Sequence, residues 1–230
     1  AKQLLSYFQG AVSDWETVPQ EFLRDAIPED RRWGYPVRRI IETIADNGSF
    51  MELQRIYGRS IITGFIRLEG KPVALLANDC QQLGGAVDAT AAEKAARFLQ
   101  ICDAFSLPVL SLTDTPGFMV GPESEVQGAV RRMSSLFLAG SKLRVPVVAI
   151  FLRKAYGLGA MALTAGHFHA PVAIAAWPSG EFGPMGIEGS VRLGFRKELE
   201  AASPEAREAL FQQLVAQAIA KGQALNMASH

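Results

Sequence analysis

The sequence predicts an α/β fold, a mainly parallel sheet covered by helices, and two observations carry that prediction. A β-rich run, a glycine-bearing loop and a helical segment succeed one another three times, with strands starting at residues 73, 109 and 147, spaced 36 and 38 residues apart. Strands that alternate with helices pair in parallel, because each helix returns the chain to the same end of the sheet. The 230 residues are also enough to bury one sizeable core.

Residues 1–36 are polar, with Pro19, Pro28 and little periodicity, and read as a lead-in to a domain spanning 37–230. Leu4, Leu5 and Phe8 have helical spacing, as though the chain began inside an element, and the start without methionine is expected of a fragment or a processed chain. Val37, Ile40, Ile41 and Ile44 fall at intervals of three and four, which predicts an amphipathic helix. Asp46-Asn47-Gly48 supplies turn chemistry, and the runs 60–68 and 72–78, joined through Glu69-Gly70-Lys71, predict a hairpin.

The first repeated unit is a strand over 73–77, Gly84-Gly85-Ala86 and a helix over 91–104 whose start Thr90 and Glu93 mark as a capping box. The second is 109–113, Asp114-Thr115-Pro116-Gly117 and a helix over 125–143. There Val126, Val130, Met133 and Phe137 form the expected buried stripe, with Ser124 and Gln127 at capping spacing. The third is 147–152, the loop from Lys154 to Gly159 and a short helix reaching Ala165. A further strand over 172–177 and a glycine-rich stretch over 180–189 follow. A last helix opens at Ser203-Pro204-Glu205 and stops at Gly222.

Composition removes several function classes. Twenty-three basic residues balance 23 acidic ones, so no global field draws in nucleic acid or an anionic membrane. No apolar run reaches eighteen residues, and the first ten show no signal-peptide layout. The pairs Arg31–Arg32, Arg38–Arg39 and Arg131–Arg132 read as solvated helix faces. Cys80 and Cys102 are too few for a four-cysteine zinc site and read as core thiols of a reducing cytoplasm. His167 and His169 have no neighbouring carboxylate or cysteine to complete a metal shell, and His230 stands alone, so no metal is expected.

The catalytic signatures that depend on side chains are missing: there is no Gly-x-Ser-x-Gly elbow and no phosphate loop. What remains is glycine where strands hand over to helices, at Gly84-Gly85-Ala86 and at Gly157-Leu158-Gly159-Ala160. Small residues let a ligand approach the main chain, and two peptide N–H groups aimed at one oxygen make an oxyanion hole. By themselves these glycines serve equally as turns and helix caps.

The same residues carry a resemblance. Gly84-Gly85-Ala86-Val87-Asp88 through Phe98, Asp114-Thr115-Pro116-Gly117-Phe118, Arg153-Lys154-Ala155-Tyr156-Gly157, and Trp177-Pro178 with Pro184-Met185-Gly186 resemble, in the same order and nearly end to end, the acyl-CoA carboxylase carboxyltransferase family. The resemblance implies a crotonase-like (ClpP/crotonase) superhelix of repeated ββα units, and it places the chain in the C-terminal half of the carboxyltransferase. That half faces biotin, while the N-terminal half holds acyl-CoA. The implied reaction moves a carboxyl group from carboxybiotin, borne by a separate carrier, to the α-carbon of an acyl-CoA through enolates steadied by backbone amides. Carried over residue by residue, the oxyanion donors fall on Leu158 and Gly159, flanked by Gly157 and Ala160. Gly84, Gly85, Ala86, Gly117, Phe118, Tyr156 and Met161 fall beside the biotin and substrate pocket. Leucine at 158 stands where propionyl-CoA carboxylase-like members have glycine, which leaves the donor open among Leu158, Gly159 and Ala160.

The implied partners are the N-terminal half, a biotin carboxyl carrier, a biotin carboxylase and further copies in a homo-oligomer. No Met-Lys-Met biotinylation site and no ATP-binding signature occur in this chain. The alternatives are a biotin-dependent decarboxylase or transcarboxylase subunit, a non-catalytic fragment, and a stand-alone hydratase or isomerase, for which Asp114 and Glu181 are the tempting carboxylates.

Overall fold

The computed structural model describes residues 1–228, and His230 lies outside them. β2 (Ile61–Leu68) and β3 (Lys71–Asn78) form the expected antiparallel hairpin, with Glu69 and Gly70 at φ 51° and 75°. Two consecutive positive φ values suit the right-handed twist of the strands. The Asp46 carboxylate holds the turn, accepting from the Glu69 and Gly70 N–H groups at 2.9 and 2.7 Å.

From β3 onward the pairing is parallel, through β4 (Val109–Thr115) and β5 (Val147–Tyr156) to β6 (Ala173–Ala176). A short β1 (Met51–Leu53) pairs antiparallel with β2 at one edge, and β7 (Glu181–Gly183) pairs with the end of β5. Among the described residues the sheet has seven strands, in the order β1-β2-β3-β4-β5-β6 with β7 beside β5.

Alternation along the strands builds two cores. Ile61, Phe65, Ala74, Leu76 and Val109 face α3 (Ala89–Ala104) and α5 (Ala129–Ser141), whereas Ile62, Ile66, Leu75, Ala77, Leu110 and Leu112 face α2 (Val37–Ile44). The period of two sends neighbours to opposite faces, so strands covered on both sides are apolar throughout. Residues 1–36 belong to the same body. Tyr7, directly after α1 (Lys2–Ser6), joins the first core and Tyr35 the second, and Arg67 donates to the Ser6 and Gly10 carbonyls at 2.8 and 3.0 Å. Among the described residues no helix is long and apolar enough to cross a membrane.

Three local expectations are corrected. The cap of α3 is Asp88, which accepts from the Ala91 N–H at 2.7 Å; Thr90 bonds to that carboxylate, and Glu93 pairs with Arg132 at 2.8 Å. The helix over 125–143 is two helices, α4 (Pro122–Val126) and α5, because Gly128 takes a left-handed φ of 67° between them. That break leaves Val126 and Val130 89% and 81% exposed, while Met133 and Leu136 are buried. The glycine-rich stretch contains β7 and the start of α7 (Ile187–Gly194), which α8 (Arg196–Ala201) follows. Ser203 does cap the last helix, α9 (Pro204–Gly222), accepting from the Ala206 N–H at 3.3 Å.

Lys94 is a charged group inside α3, 1% exposed, with Nζ donating to the Ile61 carbonyl at 2.6 Å. Burial is the main cause that lowers its pKa from 10.5 to about 8, partly offset by the charge of Glu52. The native state therefore sheds this proton before the unfolded chain does. The penalty is full below pH 8 and is relieved as pH rises from about 8 towards 10.5. Denaturant titrations of wild type and Lys94→Met across pH 7 to 10.5 are expected to show wild type gaining roughly 2–3 kcal/mol relative to the variant over that window.

Candidate active site

The site is built where β4 and β5 part. Thr113 pairs with Phe151 but Thr115 pairs with Ala155, so a step of two residues on β4 faces a step of four on β5. The surplus carries Arg153 inward, where Nη2 lies 3.0 Å from Asp114 Oδ2, with side chains 3% and 1% exposed. Asp114 Oδ1 accepts from the Lys154 N–H at 2.9 Å. Arg153 Nη1 donates to the Trp33 carbonyl at 2.8 Å, and its guanidinium sits 4.9 Å from the Tyr35 ring centroid. Burial, and then the Asp114 charge, raise the Tyr35 phenol well above its ordinary value, so it stays protonated. Asn78 links in the third strand, accepting from the Asp114 N–H at 3.1 Å and donating to the Gly85 carbonyl at 3.0 Å. One buried polar knot thus fixes the ends of β3, β4 and β5.

Three loops leave those ends and meet. The Val87 N–H donates to the Gly117 carbonyl at 3.0 Å, and the Met119 N–H donates back to Val87 at 2.9 Å, joining the 84–87 loop to the Pro116-Gly117-Phe118 turn. That turn lies against α6 (Gly157–Leu163): a Cβ on Gly159 would stand 2.7 Å from Gly117 Cα and 2.8 Å from its carbonyl carbon. On the other side Gly157, at φ 55°, has room only for hydrogen, since a Cβ there would come 2.6 Å from the Pro184 carbonyl oxygen. Backbone packs directly on backbone at both positions, which only glycine permits.

The first turn of a helix has no intrahelical acceptor for its N–H groups. Among the described residues, no side chain or loop carbonyl accepts from the N–H groups of Leu158 or Gly159, whereas the Gly157 N–H falls to the Gly183 carbonyl where β7 pairs with β5. Leu158 is 62% exposed, so the turn opens to the surface at that residue, with Gly157 half-buried and Gly159 buried beside it. The arrangement can hold developing negative charge with peptide groups alone.

The other expected residues divide by what their side chains do. Gly84 is exposed beside the loop, and Gly85 and Ala86 are buried under it. The Phe118 ring packs on the first core, 6.0 Å from Phe137. The Ala160 methyl is buried with Phe151 and Ala155. The Tyr156 ring is 1% exposed, and its hydroxyl donates to Glu181 Oε2 at 2.5 Å, so it supports the site from inside. Met161 is half-buried, and its carbonyl accepts from the Thr164 and Gly166 N–H groups at 3.1 and 2.9 Å. The His169 N–H donates to His167 Nδ1 at 3.0 Å, and among the described residues no three His, Cys, Asp or Glu side chains converge as a metal set. Sequence reasoning missed the Asp114–Arg153 pair; its signal was an arginine interrupting the apolar run of β5, a position that requires a buried counter-charge.

Removing one partner of that pair strands the other: Arg153→Met is expected to cost about 3–5 kcal/mol, read from the urea midpoint. Gly159→Ala, with no charge involved, is expected to cost about 1–3 kcal/mol in the same titration through overpacking against Gly117.

Comparison with known proteins bears on this geometry. The model of the carboxyl transferase domain family matches residues 5–228. The methylmalonyl-CoA carboxyltransferase 12S subunit of Propionibacterium freudenreichii subsp. shermanii is 38% identical over 84% of this chain and 37% of its own length. The propionyl-CoA carboxylase carboxyltransferase subunit of Haloferax mediterranei is 37% identical over 90% of the chain and 42% of its own. A solved single-chain, multi-domain long-chain acyl-CoA carboxylase is 50% identical and superposes with a TM-score of 0.91, covering 99% of this chain and 22% of that one. The chain thus spans about two-fifths of the curated relatives it matches, and its fold is the crotonase-like one expected. With the match running almost end to end, the chain belongs to the carboxyl transferase domain family of biotin-dependent acyl-CoA carboxylases.

Proposed function

We propose that this chain is the C-terminal, biotin-facing half of an acyl-CoA carboxylase carboxyltransferase, acting in the cytoplasm on a carboxyl group destined for the α-carbon of an acyl-CoA. The observation that carries the reading is the first turn of α6 after Gly157, where the Leu158 and Gly159 N–H groups meet no side chain or loop carbonyl among the described residues. Orphan donors beside a backbone-on-backbone cradle fit the oxygen of a ureido or thioester group. Carboxybiotin, brought on a separate carrier, supplies the carboxyl group when bound. The chain's part is to hold charge as it develops: the Leu158 and Gly159 amides face the oxygen, Gly157 sets their direction and Ala160 anchors the helix in the core. Preformed dipoles of this kind lower the barrier because they need no reorganisation during the reaction. Gly84 to Ala86, Gly117 and Phe118 wall the approach, and Met161 lies one turn further along the same helix.

Two further observations support the reading over a stand-alone hydratase or isomerase. Asp114 is paired with Arg153, and Glu181 is bound by Arg31 and the Tyr156 hydroxyl. Both tempting carboxylates are therefore occupied inside the protein and unavailable for proton transfer to a substrate. Transcarboxylation draws on the same biotin-side chemistry, and the 12S relative is a carboxyltransferase by name. The N-terminal half would complete the site with acyl-CoA, and a biotin carboxyl carrier and biotin carboxylase would feed it. Exposed Val126, Val130, Val172 and Ile174 are suited to association with that half and with further copies of the chain.

The test uses the full-length protein and measures carboxyl transfer to acyl-CoA. Leu158→Ala keeps the amide and is expected to keep its turnover. Leu158→Pro removes the donor at a position in the first helical turn, and is expected to lower kcat by about 10²–10³-fold. Equal turnover in the two variants would eliminate the amide as an oxyanion donor.

A further inference from the structure

Arg31 comes from the segment ahead of the sheet, yet it touches three elements around the site. Its Nε lies 3.1 and 3.3 Å from the two carboxylate oxygens of Glu181 on β7. Nη1 donates to Glu188 on α7 at 2.9 Å, and Nη2 donates to the Tyr156 hydroxyl oxygen at the end of β5, also at 2.9 Å. The sequence suggested a solvated cation, but the Arg31 side chain is only 21% exposed, and Glu181 and Tyr156 are 7% and 1% exposed. A planar guanidinium presents donors in fixed directions, so it can hold three acceptors in one arrangement.

The location gives this tie its consequence. Glu181 and Glu188 bracket Pro184, whose carbonyl presses on Gly157, and Tyr156 is the residue from which α6 starts. The turn bearing the Leu158 and Gly159 amides is therefore gripped from two sides. Gly117 bears on Gly159, and the Arg31 cluster sets the distance between β5 and the β7–α7 connection.

We infer that Arg31 is a positioning residue for carboxyl transfer, holding β7 and α7 against Tyr156 so that the Leu158 and Gly159 amides keep one direction. The inference rests on the proposed function. A purely structural tie would lower stability and leave turnover per folded molecule unchanged. A positioning role lowers kcat in molecules that remain folded, because small misplacements of catalytic groups can cost up to about 10²-fold.

The experiment compares Arg31→Gln, Arg31→Lys and the control Arg32→Gln in the full-length protein, reading kcat, KM for acyl-CoA, thermal melting and hydrogen exchange. Arg31→Gln is expected to lose about 10–10²-fold in kcat with KM within about twofold. Arg31→Lys should recover part of that loss, and Arg32→Gln should match wild type. Exchange over residues 178–190 should quicken in Arg31→Gln while 89–104 stays protected. Should Arg31→Gln fail to fold, Tyr156→Phe, which removes only the hydroxyl, carries the same expected fall in kcat. A folded Arg31→Gln with wild-type kcat overturns the inference. Wild-type protein without transfer activity defeats the functional reading instead, and unchanged exchange at 178–190 then defeats the clamp as well.

Discussion

The buried pair of Asp114 and Arg153 is the constraint on which the rest of the site depends. A parallel sheet in regular register would carry β4 and β5 side by side to their ends and leave no room between them. Here β5 takes four residues where β4 takes two, and the surplus becomes an inward arginine. A charge at 2% exposure is tolerable only against an opposite charge, and Asp114 together with the Trp33 carbonyl answers Arg153, while the Lys154 N–H donates to Asp114 in turn. By tying Asp114 also to Asn78, and Asn78 to Gly85, the pair converts an irregularity in one ladder into a fixed geometry for three loops.

That geometry brings main chain, more than side chains, together around the turn. Around the 157–159 turn, side chains have been withdrawn: Tyr156 points into the C-terminal core, Ala160 into a cluster under the sheet, and Phe118 onto the first core. On either side of Leu158, peptide backbone is held against peptide backbone, Gly157 on Pro184 and Gly159 on Gly117. Under the proposed function this accounts for the absence of a nucleophile or acid–base pair from the sequence, since an amide donor can be supplied by any residue except proline. It also explains how leucine can stand at 158. Its side chain projects outward, 62% exposed, while its N–H meets no side chain or loop carbonyl among the described residues.

Much of the architecture was legible because it follows from local chemistry. The hairpin at Glu69-Gly70, the helix start at Ser203-Pro204 and the alternation of strand, glycine loop and helix each depend on the residues at that spot. Where the reading failed, a distant group had decided. Asp88 displaced Thr90 as the cap because Glu93, needed for the capping box, is drawn away by Arg132. Val126 and Val130 left the buried stripe because Gly128 turned the chain between them. β7 was hidden in a glycine-rich stretch because it is a three-residue strand made by pairing with the distant β5.

By itself, then, the sequence determined the order of elements, the parallel character of the sheet and the loops at which a ligand meets glycine, since periodicity and glycine chemistry act over a few residues. The tertiary structure alone decided that Gly117 and Gly159, 42 residues apart, would touch, that Asp114 would find Arg153, and that Arg31 would reach across to Glu181 and Tyr156. The physical reason is that a buried charge or an unfilled Cβ position specifies only that it needs a partner or a close neighbour. Which residue answers that need is set by how the sheet splits and where its loops return.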